Sequence, residues 1–435
     1  MKRLRWACWA LLGSTLAATG VAAEPPAAVP QPAVLTRQDA VRFALANNPQ
    51  LALVREQRGL AAAGVVLARV YPYNPVFTSV VLGVNGEGVT NRVFNEHVVA
   101  MQLELCGQGK YRRAAAAAAV TRTEWEVAAQ EVATAISVLR AYDTVLYREQ
   151  KLRVLEETVR LSEQLVELGK RGVELQRSRP ADVILARTEM DTARAQLGQG
   201  RTALAVARAE LRRLIGTLDD CFAVGGDLDL ALPTLVCDAL VPYALQLRPE
   251  VHARSAAIAE AEARLGLQVA DRLGNPSIGP RVEVNETSDT FVGVVMTGPI
   301  PVLNRRQGEI AQRRADVARA QVDLHSTEQQ VALAVSAAMA RLTEARRWAD
   351  YYQAEALPNL RKARQELEQF LADGEPGVDV VKVLGAQRNF LQVTNAYLDA
   401  RYEVSQAQAD LAAAVGDPAL AAGCYPAGEP TPPAP

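Results

Sequence analysis

The 435-residue chain carries its own likeness at a spacing of about 200 residues. Asn48-Pro49-Gln50 answers to Arg248-Pro249-Glu250, each ahead of an Ala-rich run, and Asn74-Pro75 answers to Asn275-Pro276. Leu105-Cys106-Gly107, leading to Lys110, Arg112 and Arg113, corresponds to Val302-Leu303-Asn304, leading to Arg305 and Arg306. Pro180-Ala181-Asp182-Val183 corresponds to Gly377-Val378-Asp379-Val380, and Ile215-Gly216 to Val415-Gly416. These landmarks, in one order and at nearly one offset, define two copies, 35–216 and 238–416. A connector over 217–237 contains Gly225-Gly226-Asp227 and Pro233.

Each copy reads as helix, two strands, a very long helix and a further helix. In the first, helices are expected over 36–71, 108–177 and 180–216. Residues 138, 145, 152, 159 and 166 are Val, Val, Leu, Val and Val, an apolar seam at a spacing of seven. Ile310, Val317, Leu324, Val331, Ala338 and Ala345 repeat it in the second copy. Such a seam predicts long helices packed side by side with a left-handed supercoil. A helix of roughly 70 residues is about 100 Å long, beyond any ordinary globular core.

Two hairpins, 75–105 and 276–300, interrupt the helices. Ile278, Pro280, Val282 and Val284 alternate with Ser277, Gly279, Arg281 and Glu283. His97, Val99, Met101, Leu103 and Leu105 alternate with Glu96, Val98, Ala100, Gln102 and Glu104. The first strand is weaker, with Val76, Thr78, Val80, Leu82 and Val84 on one face, and Phe291 to Thr297 is apolar on both faces. Strands of about 10 residues, apolar outside and polar inside, suit a tilted membrane barrel. A half-buried soluble sheet gives the same alternation. Four strands cannot close a barrel, and an open edge has no place in lipid, so in a membrane several chains must share one. Strand number alone permits a dimer or a trimer.

The remaining composition narrows the classes. Lys2, Arg3 and Arg5, the apolar stretch from Trp6 to Ala18 and the small residues Val21-Ala22-Ala23 predict a signal peptide over 1–23. Pro-rich segments follow it at 24–34 and close the chain at 417–435. In an oxidising compartment Cys221 and Cys237, flanking the connector, are a candidate disulfide, with free thiols the alternative. A formal charge of −2 argues against nucleic-acid binding. Three scattered His, no C-x-x-C and no Ser/His/Asp set or carboxylate pair leave no metal site, no cofactor site and no catalytic residue to name. The chain reads as no enzyme.

The Leu35-Thr36-Arg37-Gln38-Asp39-Ala40 to Asn47-Asn48-Pro49 stretch, the duplicated unit and Pro299-Ile300-Pro301-Val302-Leu303-Asn304-Arg305-Arg306 resemble the TolC-type outer-membrane efflux factors. With Cys106-Gly107-Gln108-Gly109-Lys110, the latter looks closest to the cobalt–zinc–cadmium efflux branch. The resemblance implies a mainly α fold with a small β part. It implies a homotrimer whose twelve-stranded outer-membrane β-barrel, set in outer-membrane lipid, continues as a twelve-helix periplasmic α-barrel. It also implies docking onto a periplasmic adaptor and an inner-membrane pump, and export of metal cations or small organic solutes. A soluble periplasmic coiled-coil adaptor or scaffold is the alternative, since it accounts equally for the helices.

Two helix-to-helix turns, 169–182 and 373–379, are expected at the periplasmic tip. In the family an aspartate ring narrows the closed tunnel just after the second turn. Counted back from Ala400-Arg401-Tyr402, those positions are Lys382 and Gly385 here. The expectation is therefore that Lys382 or Asp379 lines the constriction. Asp182 and Asp379 stand either as helix caps or as gating and adaptor-contact residues.

Overall fold

The computed structural model describes residues 34–86, 89–174, 179–218, 222–228, 237–285, 287–373 and 380–422. A two-residue strand β1 (Val34–Leu35) precedes α1 (Arg37–Asn47), α2 (Pro49–Arg55) and α3 (Gln57–Arg69). The hairpin of β2 (Val76–Gly86) and β3 (Val89–Gln102) leads into α4 (Gln108–Glu174), then α5 (Pro180–Ile215) and β4 (Ala223–Val224). Next come α6 (Cys237–Leu247), α7 (Pro249–Ala270), β5 (Ser277–Val284) and β6 (Thr290–Thr297). The helices α8 (Gln307–Tyr351), α9 (Leu357–Asp373) and α10 (Val380–Val415) follow. The fold is mainly helical. At 67 residues α4 is about 100 Å long.

The single helix expected over 36–71 is three helices, and Asn48 is the reason for the first break. Its buried side chain accepts from the backbone N–H of Gln50 (2.8 Å) and Leu51 (3.1 Å), while its amide donates to the Leu214 carbonyl (2.8 Å). Pro49 then takes the first helical position, where its missing N–H costs nothing. The Arg248-Pro249 junction opens α7 in the same way. Against each junction a long helix stops on a left-handed glycine, Gly216 (φ 81°) or Gly416 (φ 84°). A Cβ on Gly216 would lie 2.4 Å from the Asn47 carbonyl oxygen, so only glycine fits this contact.

Along α4 the seven-residue seam is buried at Val138, Val145, Val159 and Val166. Along α8 it is buried at Val331, Ala338 and Ala345, and then it slips. Residues Tyr352–Ala356 form one π-helical turn, so the long helix expected in the second copy is interrupted. Pro358 is the cause: it has no N–H for the Ala354 carbonyl, and its ring crowds that carbonyl. Counting on by sevens reaches exposed Asn359 and Glu366, whereas a count lengthened by one reaches half-buried Leu360.

Next to the sheet the helices pack in the order α3, α4, α7, α8, matching the strand order β2-β3-β5-β6 that continues from them. Farther along, α5, α4, α10 and α8 are neighbours. One core gathers Leu35, Phe43, Val138, Tyr142, Leu211 and Leu228. A second gathers Leu139, Val331, Val335, Leu342, Leu411 and Val415.

The parallel pair β1–β4 fastens the start of the chain to the connector, and Tyr142 of α4 holds both. Its hydroxyl lies 2.8 Å from the Leu35 carbonyl and also against the Gly225 carbonyl, sharing one hydrogen between them. Burial pushes the phenol pKa up to about 12. The unfolded chain releases this proton near pH 10 while the folded chain keeps it, so stability is lost as pH rises between the two values. The expected loss from this group is about 1–1.5 kcal/mol at pH 11. Urea titrations of the wild type and Tyr142→Phe at pH 9 and pH 11 should show a smaller alkaline loss in the variant. An equal loss in both would remove Tyr142 as its source.

Candidate functional site

The ladder registers sort the side chains of the four strands into two faces. Phe77, Val81, Val99, Ile278, Val282, Val292, Val294 and Met296 share one face with Pro280. These apolar side chains are exposed, Phe77 at 65%, Met296 at 74% and Val292 at 77%. His97 lies among them with its Nδ1 3.0 Å from the Ser79 hydroxyl and its ring stacked on Phe77. The opposite face carries Thr78, Glu96, Gln102, Ser277, Arg281, Glu283 and Thr297, most of them half-buried. A recess of about 650 Å³ opens on it between Tyr73, Val98, Gln102 and Thr297. A water-soluble sheet hides its apolar face; this one shows it.

The register also decides which face of the first strand turns outward. Val76, Thr78, Val80 and Leu82 lie on the polar face, and Phe77, Ser79, Val81 and Gly83 lie with the apolar set. Both faces of this strand are largely apolar, so alternation within it could not say which one turns outward; only pairing with β3 does. The sheet ends on β2 and β6, whose outer edges have no strand partner among the described residues.

The two hairpins meet at β3–β5. Pro280 offers no N–H there, and the ladder skips the pairs opposite Gly279 and Pro280. The Val99 carbonyl oxygen comes to 1.8 Å from where a Gly279 Cβ would stand. Beyond this joint Glu96 and Glu283 face one another across the ladder. Arg281 lies between them, its Nε 2.9 Å from Glu96 and a terminal nitrogen against Glu283. The sequence reading placed all three residues on polar faces but not beside one another, because the strand pairing was not visible.

At the far end of the helices Asp182 is the best described candidate. Its carboxylate accepts the Arg179 N–H (3.1 Å) and its own N–H donates to the Arg179 carbonyl (3.0 Å), which closes the first turn of α5. Gly169 of α4 packs against Val183 of α5. Asp182→Ala should cost about 1 kcal/mol and fray this turn, raising amide hydrogen exchange at 182–185 while leaving exchange at Leu211 unchanged. Unaltered exchange would show that the cap is dispensable. Gly385 lies exposed on α10, with nothing within 4 Å of a Cβ built on it. Arg388 of α10 reaches Glu189 of α5 at 3.6 Å. Lys382 is on α10 with its side chain outside the described residues, and Asp379 lies wholly outside them, as does Cys221. Cys237 begins α6 with its side chain undescribed.

Among the described residues no three His, Cys, Asp or Glu side chains cluster to hold a metal ion, and no helix is long and apolar enough to cross a membrane. The outer membrane efflux protein family model matches residues 40–217 and again 240–417. The chain belongs to this family. The fold of this outer membrane efflux protein is similar to that of CusC, with a TM-score of 0.75 at 19% identity, over 90% of this chain and 98% of the other. A membrane protein from Pseudomonas aeruginosa gives a TM-score of 0.75 at 20% identity, over 88% and 91%. The outer membrane channel CmeC of Campylobacter jejuni gives 0.72 at 15%, over 87% and 85%. No curated protein matches the chain in sequence. The family and the solved relatives are channel proteins rather than enzymes.

Proposed function

We propose that three copies of this outer membrane efflux protein share one twelve-stranded barrel, continued by their helices into a periplasmic tunnel. The observation that carries this reading is the sheet itself, with an exposed apolar face, a polar face behind it and two edges without a strand partner among the described residues. In lipid those edges must be paired, and the β6 edge of one copy meeting the β2 edge of the next is a head-to-tail contact that closes into a ring. Outer α3 and α8 would meet in the same sense, because helix order follows strand order.

The conduit would work as the outer-membrane part of a tripartite system, with a periplasmic adaptor and an inner-membrane pump as partners. Its substrates would be metal cations or small organic solutes, and its place the cobalt–zinc–cadmium branch. Selection falls to the pump in this reading. Residues 1–23 would serve as the signal peptide, and Cys221 with Cys237 would form the disulfide of the connector. Asp182, Asp379, Lys382 and Gly385 would surround the tunnel tip, with Lys382 or Asp379 at the narrowest point. Lys382→Asp should then change the ion selectivity of single channels in a planar bilayer, and an unchanged selectivity would exclude Lys382.

The deciding experiment is the mass of the native particle from the outer-membrane fraction, taken up in mild detergent. A trimer confined to that fraction is expected. A monomer in the soluble periplasmic fraction would favour the coiled-coil scaffold instead and end the conduit reading.

A further inference from the structure

Glu96 and Glu283 stand directly opposite on β3 and β5, an arrangement that by itself destabilises an antiparallel pair. Arg281 offsets the repulsion by bridging both carboxylates. One cation between two anions leaves the group with a single net negative charge. All three side chains are half-buried, on two paired strands rather than on a loop, so the charge is held in place. The other described side chains on this face, among them Thr78, Gln102, Ser277 and Thr297, carry no charge. Arg92, the next charged residue along β3, lies four residues on, about 13 Å along the backbone at the strand rise, with its side chain outside the described residues.

We propose that the Glu96–Arg281–Glu283 group sets the ion preference of the barrel lumen, with Arg281 holding that preference down. The inference rests on the shared-barrel reading, since only a closed barrel turns the polar face toward a water-filled pore. Repeated once per chain, the group forms a ring of net negative charge among described strand side chains that carry none, and it enriches cations over anions. Arg281 is thus more than a brace for the sheet. Its removal doubles the negative charge at this level, whereas loss of either glutamate cancels it.

The test is the reversal potential of the purified oligomer in planar bilayers under a tenfold KCl gradient. Compared with the wild type, Arg281→Gln should raise the potassium-to-chloride permeability ratio about threefold, and Glu283→Gln should lower it by about as much. Arg281→Lys keeps the charge and should match the wild type. Glu283→Gln also relieves the repulsion between the carboxylates, so it remains informative if Arg281→Gln does not assemble. Unchanged ratios in conducting Arg281→Gln and Glu283→Gln channels would overturn the inference and leave the conduit standing. So would an Arg281→Lys shift as large as that of Arg281→Gln. Wild-type oligomer that forms no channel would overturn the shared barrel itself, and this inference with it.

Discussion

Asp143→Ala should lower the stability of the folded chain by about 3–5 kcal/mol. Asp143 is 1% exposed and sits where three helices meet. Arg37 of α1 approaches its carboxylate to 2.7 Å, and the Ser405 hydroxyl of α10 donates to the other oxygen. The Arg37 side chain, only 11% exposed, also donates to the Asp227 carbonyl (2.7 Å) and lies over the Tyr142 ring. Alanine at 143 would leave that guanidinium buried without its counter-charge, the costly way to break such a pair. Burial nonetheless pushes the Asp143 pKa up despite the arginine, so the ionised pair is not in itself a strong source of stability. Arg37→Leu with Asp143→Leu should accordingly recover most of the loss. Urea midpoints for Arg37→Leu, Asp143→Leu and the pair, at unchanged slope, measure the coupling. A pair as unstable as the worse single variant would show that the charges themselves hold α1 against α4 and α10.

Gly279→Val should take apart the sheet while leaving the helices. A Cβ at 279 would stand 1.8 Å from the Val99 carbonyl oxygen and 2.7 Å from the Ala100 Cα, both backbone atoms of β3 that no rotamer change can move. The β3–β5 ladder is the joint between the two hairpins, so its separation leaves two isolated hairpins, each marginal alone. The cost is at least about 3 kcal/mol. Gly293→Val, one strand away on β6 with nothing within 4 Å of the new Cβ, is the matched control and should be tolerated. Far-ultraviolet circular dichroism and the native mass in mild detergent separate the outcomes. On the shared-barrel reading, Gly279→Val should keep helical ellipticity and lose the trimer that the wild type is expected to form; an equal trimer in both would mean that β3 can move aside.

The residues that punctuate this fold were readable one at a time. Gly216 and Gly416 end helices, and the valines of α4 at 138, 145, 159 and 166 face a core, because each effect depends on a residue and its immediate turn, whereas the helix start at Pro49 falls inside the stretch 36–71 read as one helix. The alternation of β3 and β5 likewise separated Val99, Ile278 and Val282 from Glu96, Arg281 and Glu283. What stayed hidden depends on a partner. The outward face of β2 follows from its register with β3, and a strand apolar on both sides says nothing about it. The meeting of Glu96 with Glu283 needed the pairing of strands about 190 residues apart. Asn48 could be seen as a cap from its neighbours, but its bond to Leu214 could not. The π-helical turn was legible only as Pro358 inside a helical stretch, a signal that predicts a break without saying which kind.

That turn governs where the chain can be cut and joined. Between Tyr352 and Ala356 the helix takes in one residue without advancing its faces, so the residue count above it and the count below it differ by one. Grafting a lower helix from a relative, or exchanging α9 with the corresponding part of α4, therefore succeeds or fails on phase rather than on sequence likeness. A splice that deletes one residue here would swing everything below it by about 100°, carrying Leu360 from the packed side into solvent. Joins placed above Tyr351 or below Leu357 that carry the whole turn keep both halves in step.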